Sequence, residues 1–179
     1  MSKYIAFLRA INVGGHNAIR MKDLTLWMQQ LGFTGIKTHL NSGNVIFQTP
    51  PRDIHELSKQ IREKIFLETK LHIACLIRSY DELSRLNTIL LTHEASKPQT
   101  ATVFLTLLSG TPSAENIAKL KAVNSAPDTF TPYDTEIVLI CQQPYHQTKL
   151  SNTLFEKTLK LDATSRNHNT IKALLSICG

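Results

Sequence analysis

The sequence predicts an α+β fold: a ferredoxin-like βαββαβ N-terminal half, then a second, partly similar α+β half with C-terminal helices. Three observations lead there. Short apolar runs and helix-period stripes follow one another in the order β-α-β-β-α-β over residues 1–79. The turn residues Asn41-Ser42-Gly43-Asn44 join two of those runs as a tight hairpin. A polar link, Thr92 to Thr100, contains Lys97-Pro98, and beyond it much of the same order begins again.

Taken in order, Lys3 to Leu8 is a near-continuous apolar run and reads as a strand buried on both faces. Arg9 to Arg20 is a loop, and a helix begins near Met21 with Leu24, Trp27, Met28 and Leu31 on one stripe. Ile36 to Leu40 and Val45 to Gln48 form the hairpin strands, whose alternation suits a sheet covered on one side only. Pro50-Pro51 stops the sheet, and Asp53 caps a helix carrying Ile54, Leu57, Ile61 and Ile65. Leu71 to Ile77 is the fourth strand, and a helix with Leu83, Leu86 and Leu90 follows. The second half opens with a strand at Thr102 to Leu108, then a helix with Ile117, Leu120 and Val123. Two strands come next, Thr129 to Tyr133 and Glu136 to Cys141, and helices near Asn152 to Leu161 and Asn169 to Ile177. The expected division is a ferredoxin-like subdomain at 1–79, a helix and linker at 80–100, and a second α+β subdomain at 101–179.

Composition narrows the function classes. An apolar fraction of 42% with 19% charged residues over 179 positions fits a globular chain with a real core. No apolar run reaches the ~18 residues that a membrane span needs, and the start lacks a signal-peptide cleavage site. Cys75, Cys141 and Cys178 show no paired spacing and read as buried small hydrophobes, which points to the cytosol. The net charge of +6 and the pI near 9.3 favour anionic partners, although the basic residues are spread along the chain.

Three segments resemble the motifs of the DUF1697 family in order and spacing: Leu8 to Gly15 (LRAINVGG), Ser42 to Phe47 (SGNVIF) and Ala163 to Thr170 (ATSRNHNT). The resemblance runs nearly end to end and implies a two-part α+β fold with a ferredoxin-like first half. It implies little about activity, because the family is named for being uncharacterised. One position departs: the family's C-terminal motif usually carries a Trp where this chain has His168.

The residues offer one chemistry above the others. Gly14-Gly15 let the backbone reach positive φ and bring N–H groups close to a ligand. A helix starting after Arg20 adds the partial positive charge of its free amides. Arg9, His16, Asn17, Arg20 and Lys22 add donors, which suits a phosphate. The competing reading is a sharp turn with Asn12 and Asn17 bonded to backbone. In Thr164 to Thr170, capping of the last helix explains the Asn, Ser and Thr residues but not Arg166. Its partner would be an internal carboxylate such as Glu156 or an outside phosphate. Joined, the two segments make one cleft with Arg9, Asn12, Gly14, Gly15, Asn17, Arg20, Arg166 and Asn167 as ligand-binding residues. Lys149, Ser151 and Asn152 stand beside it.

Neither GxGxxG nor GxxxxGK[ST] is present, and no HExxH, GxSxG or carboxylate pair supports a metal, a nucleophile or a cofactor. The expected function is therefore binding of a nucleotide or nucleic-acid backbone. Two alternatives stand beside it. One is an enzyme on a small phosphorylated substrate, with His16 or His168 carrying protons. The other is a protein-interaction module using an open sheet face. Base stacking as in the RRM would need Phe7 and Phe47 on that face, whereas aromatics of this size are mostly core.

Overall fold

Seven residues, Ser2–Leu8, form β1, and everything in the first half is assembled on it. The computed structural model describes residues Met1–Gly179. After β1 come α1 (Met21–Gln30), β2 (Thr34–His39), β3 (Asn44–Thr49), α2 (Ile54–Thr69) and β4 (Cys75–Ser79). The strands make one antiparallel sheet in the order β2-β3-β1-β4, the ferredoxin-like arrangement. Tyr4, Ala6 and Leu8 alternate onto the face beneath the helices, where Phe47, Leu24, Met28, Leu57, Ile61 and Ile65 complete the core. Each of the larger aliphatic and Phe side chains among them contributes roughly 1.5–3 kcal/mol by leaving water.

The other face of this sheet is not open. Ile5, Phe7, Ile46 and Leu76 are each at most 3% exposed. The expectation of a sheet covered on one side fails because β1 and β3 are apolar at consecutive positions, leaving no polar face to hydrate. Phe7 and Phe47 are fully buried, so base stacking on them is sterically closed.

β4 begins later than expected. Ile73 does point into the core, but the ladder starts where Cys75 pairs with Leu8 and runs on to Ser79. α3 (Tyr80–Ser96) follows without a break. It overruns the expected polar link because its first breaker is Pro98, which disfavours helix at the residue before it.

The second half contains β5 (Thr102–Leu108), α4 (Ala114–Lys121), β6 (Thr129–Pro132), β7 (Glu136–Cys141), α5 (Asn152–Leu159), β8 (Ala163–Asn167) and α6 (His168–Cys178). Its antiparallel sheet has the order β6-β7-β5-β8. Leu108, Ile137, Leu139, Leu150, Phe155 and Leu159 form the core under α4 and α5. β8 departs from expectation: residues from Thr164 on, which read as a cap before the last helix, pair along β5 as a strand. The strand completes a second βαββαβ plait.

The two plaits match position by position. Ile5 pairs with Ile46 and Arg78, and Leu105 pairs with Val138 and Arg166. Leu8 N–H donates to Gly43 O at 2.8 Å, and Leu108 N–H to Thr135 O at 2.9 Å. α2 and α5 both end on a left-handed lysine, Lys70 and Lys160.

The chain divides into two units, Met1–Ser84 with Leu174–Gly179, and Arg85–Ala173. Within the first, Lys3 Nζ donates to Cys178 O, and Lys37 Nζ donates to Ile177 O at 3.2 Å. Two ammonium groups thus meet the free carbonyls at the negative end of α6.

Candidate anion-binding site at the start of the first helix

The loop between β1 and α1 is built from left-handed residues. Ala10, Asn12, Gly14, Gly15 and Asn17 have φ of +53°, +55°, +58°, +79° and +51°. Side chains hold this backbone. Asn17 Nδ2 donates to Ala10 O at 3.0 Å, and Asn12 N–H donates to Asn17 O at 3.2 Å. Asn12 Oδ1 accepts from Ile19 N–H at 2.8 Å, while its Nδ2 donates to Ile19 O at 2.9 Å and to Asn41 O at 2.8 Å. Ile11 and Ile19, at 1% and 3% exposure, anchor both arms of the loop in the core.

Between those arms the chain turns back on itself. Val13 and His16 bridge, His16 N–H donates to Val13 O at 3.0 Å, and Gly14-Gly15 occupy the two central positions. Positive φ at both is the backbone of a type I′ turn. This tip is exposed, and Val13 is 60% exposed.

The loop delivers the chain into α1. Arg20 is the N-cap, in extended conformation, and makes no side-chain capping bond. The N-cap side chain thus gives the first amides of α1 no acceptor, and the acidic residue at the positive end of the helix is Asp23 in its first turn. The Arg20 side chain is 84% exposed, and its Nε lies 2.7 Å from Asp23 Oδ2. Beside this helix start is a cleft of about 430 Å³, lined by Asn12, Ala18, Ile19, Arg20, Met21 and Asn41. A second, of about 480 Å³, continues along α1 past Lys22, Leu26 and Gln29 to Thr38.

Of the eight residues singled out in the sequence, Asn12 and Arg20 line the cleft together. Gly14 and Gly15 form the exposed tip, and Asn17 ties the loop to Ala10. Arg9 is half-buried at the end of β1, where its N–H donates to Ala74 O at 2.9 Å. Arg166 and Asn167 belong to the second unit. Arg166 lies within β8, and its Nη1 donates to Thr164 Oγ1 at 2.7 Å and Ser165 O at 2.9 Å. Asn167 Oδ1 accepts from Thr170 N–H at 2.8 Å and so caps α6. The segment at 149–152 has structural work of its own: Ser151 caps α5, Asn152 Oδ1 accepts from Ser165 Oγ at 2.7 Å, and Lys149 Nζ donates to Asn124 O at 3.2 Å. Asn41, which closes the cleft, was not singled out. Its contribution is a backbone carbonyl, which leaves no residue-type signal.

A family model described as "Protein of unknown function (DUF1697)" matches residues 1–137. The chain is similar to a solved structure, that of the conserved bacterial protein SP0830 from Streptococcus pneumoniae. Identity is 21%, 99% of each chain is covered, and the TM-score is 0.73. That likeness is one of fold. No curated protein matches the chain. No helix is long and apolar enough to cross a membrane.

Proposed function

The chain belongs to the DUF1697 family, and from the geometry of its first loop we propose that it binds a phosphate-bearing ligand, a nucleotide or a nucleic-acid backbone, at the start of α1. The observation that carries this reading is a helix start without a side-chain cap, opening onto a cleft lined by Arg20. First-turn amides and the helix dipole favour an anion there. A guanidinium adds charge-assisted hydrogen bonds in the fork geometry that phosphate oxygens match. Asn12 contributes by position: it fixes Ile19, and hence the direction in which the chain enters the helix. Asp23 holds Arg20 through Nε and acts as the internal rival of the ligand.

The test is an NMR titration of the full chain with inorganic pyrophosphate, AMP and a short DNA duplex, following the amides of Arg20 to Leu24. Saturable shifts at Met21 and Lys22 are expected. Arg20→Ala should weaken binding about tenfold or more, the worth of a hydrogen bond to a charged group. Asp23→Asn should strengthen it by removing the rival. A backbone ligand is told from a nucleotide by salt, since affinity for a nucleic acid falls with a slope set by the number of phosphates contacted. If these amides stay still at millimolar pyrophosphate, or Asp23→Asn weakens binding, the reading is wrong.

A further inference from the structure

A histidine sits in the first turn of α6, buried to 2% exposure, with a partner on each ring nitrogen. His168 Nδ1 lies 3.3 Å from Glu94 Oε1, and Nε2 lies 2.8 Å from Asn87 Oδ1. Both partners stand on α3, about two turns apart, so one imidazole ties two points of that helix to the start of α6. All these residues belong to the second unit.

We infer that His168 is a pH-responsive clasp, holding the start of α6 to α3 while its ring is neutral and loosening when the ring takes up a proton. A neutral ring offers one donor and one acceptor. Its Nδ1–H donates to Glu94, and Nε2 then needs a donor, which the Asn87 carboxamide supplies when it turns to bring Nδ2 in place of the Oδ1 that faces the ring here. Protonation makes Nε2 a donor, and the carboxamide meets it with oxygen. The hydrogen bonds survive, so the change lies in the charge.

That charge is poorly placed. It is shielded from water, it stands at the positive end of α6, and Lys172 lies one turn further along the same helix. Glu94 is the opposing group, and its other oxygen faces Lys97 Nζ at 3.7 Å. His93, the neighbour on α3, is engaged by Tyr133 Oη at 2.9 Å. Burial above all, and Lys172 with it, hold the imidazole below the ordinary histidine range, against the pull of Glu94.

The sign follows. An unfolded chain takes up the proton more readily, so stability is full above the ordinary value of about 6.5 and declines as pH falls below it. One proton limits the decline to tenfold in the folding equilibrium constant per pH unit.

The experiment is an NMR titration of the His168 ring in the full chain, with hydrogen exchange of residues 87–94 and 168–173 at pH 7.5 and 5.5, corrected for intrinsic rates. A midpoint below the ordinary value is expected, together with loss of protection at the lower pH that His168→Gln removes. A midpoint at or above the ordinary value overturns the clasp, and so does a pH-dependent loss that persists in His168→Gln. Should that variant not fold, two others decide. Glu94→Gln should move the midpoint down and Lys172→Ala should move it up; no movement, or movement the other way, overturns the proposal.

Discussion

Gly43 meets two demands at once, and only glycine meets both without strain. Its φ is +77°, and a Cβ built there would lie 2.7 Å from Leu8 Cβ and 2.8 Å from Ile11 Cδ1. Leu8 Cβ is fixed to the backbone of β1 and cannot move aside. Gly15 has a similar φ of +79° but nothing within 4 Å of the same added atom. The pair separates conformational strain from packing. Left-handed backbone costs a non-glycine residue roughly 1–2 kcal/mol, and overpacking adds roughly 1–3 kcal/mol. Gly43→Ala should therefore destabilise the chain by about 2–5 kcal/mol and Gly15→Ala by about 1–2 kcal/mol, read from urea midpoints at constant slope. Equal losses would mean that Gly43 is held by its turn alone. The contact also shows why a sequence reading reaches only half of this residue. A turn glycine is legible from Asn41-Ser42-Gly43-Asn44, whereas its pressure against Leu8 and Ile11 depends on strand pairing.

Elements with a repeating apolar period were legible, and those without one were not. Leu24 and Met28 on one stripe gave α1, and Leu57, Ile61 and Ile65 gave α2, because burial repeats every turn in both. β8 has no such period. Thr164, Ser165 and Asn167 are polar, and the strand exists because each pairs across to β5, with Thr106 Oγ1 and Ser165 Oγ 2.7 Å apart. The signal that could have found it is internal: Arg78-Ser79 before α3 stands in the same register as Arg166-Asn167 before α6. Ser79 Oγ accepts from Glu82 N–H at 3.2 Å, as Asn167 Oδ1 accepts from Thr170 N–H. The capping role of Asn167 was readable; the strand on which it ends was not. In the candidate site, the Gly-Asn-Arg loop was readable from residue types, and so was the bonding of Asn12 and Asn17 to backbone. The partners of Asn12 were not, because Ile19 and Asn41 are 7 and 29 residues away. At this scale, Asn167→Ala should cost about 0.5–2 kcal/mol by leaving first-turn amides of α6 without an acceptor, while Asn167→Asp should hold most of the stability. A loss of equal size in Asn167→Asp would show that the side chain is needed for something other than the cap.

Across the molecule, two plaits of the same topology differ in the buried groups that titrate. The acid-side groups, Asp128 and His168, both lie in the second unit. Asp128 is 1% exposed; its Oδ1 accepts from Gln142 N–H at 2.8 Å and its Oδ2 from Gln143 Nε2 at 2.7 Å. Burial pushes this carboxyl up, but hydrogen bonds from Thr148, Gln143 and the backbone together hold it below the usual value. Stability from Asp128 is thus present above about pH 4 and lost as pH falls through its folded value, while the loss through His168 starts below about 6.5. On the alkaline side, burial raises Cys75 to about 12 and Cys141 to about 11 and lifts Cys178 as well, so both units hold a raised thiol. Thiols raised in this way favour the folded state below about pH 9, and that advantage fades as pH rises, so alkali does not separate the plaits. Acid does. Between pH 7 and pH 4, amides of Val103 to Leu107 in β5 should lose exchange protection before those of Ile5 to Leu8 in β1. Asp128→Asn places an amide where donors already point, at a cost of about 1.5–3 kcal/mol, and with His168→Gln it should flatten the acid dependence of β5 alone. Loss of protection in both strands at one pH, or a change in β1 equal to that in β5 in the double variant, would mean that the two plaits open together and that their buried titrating groups do not set the order.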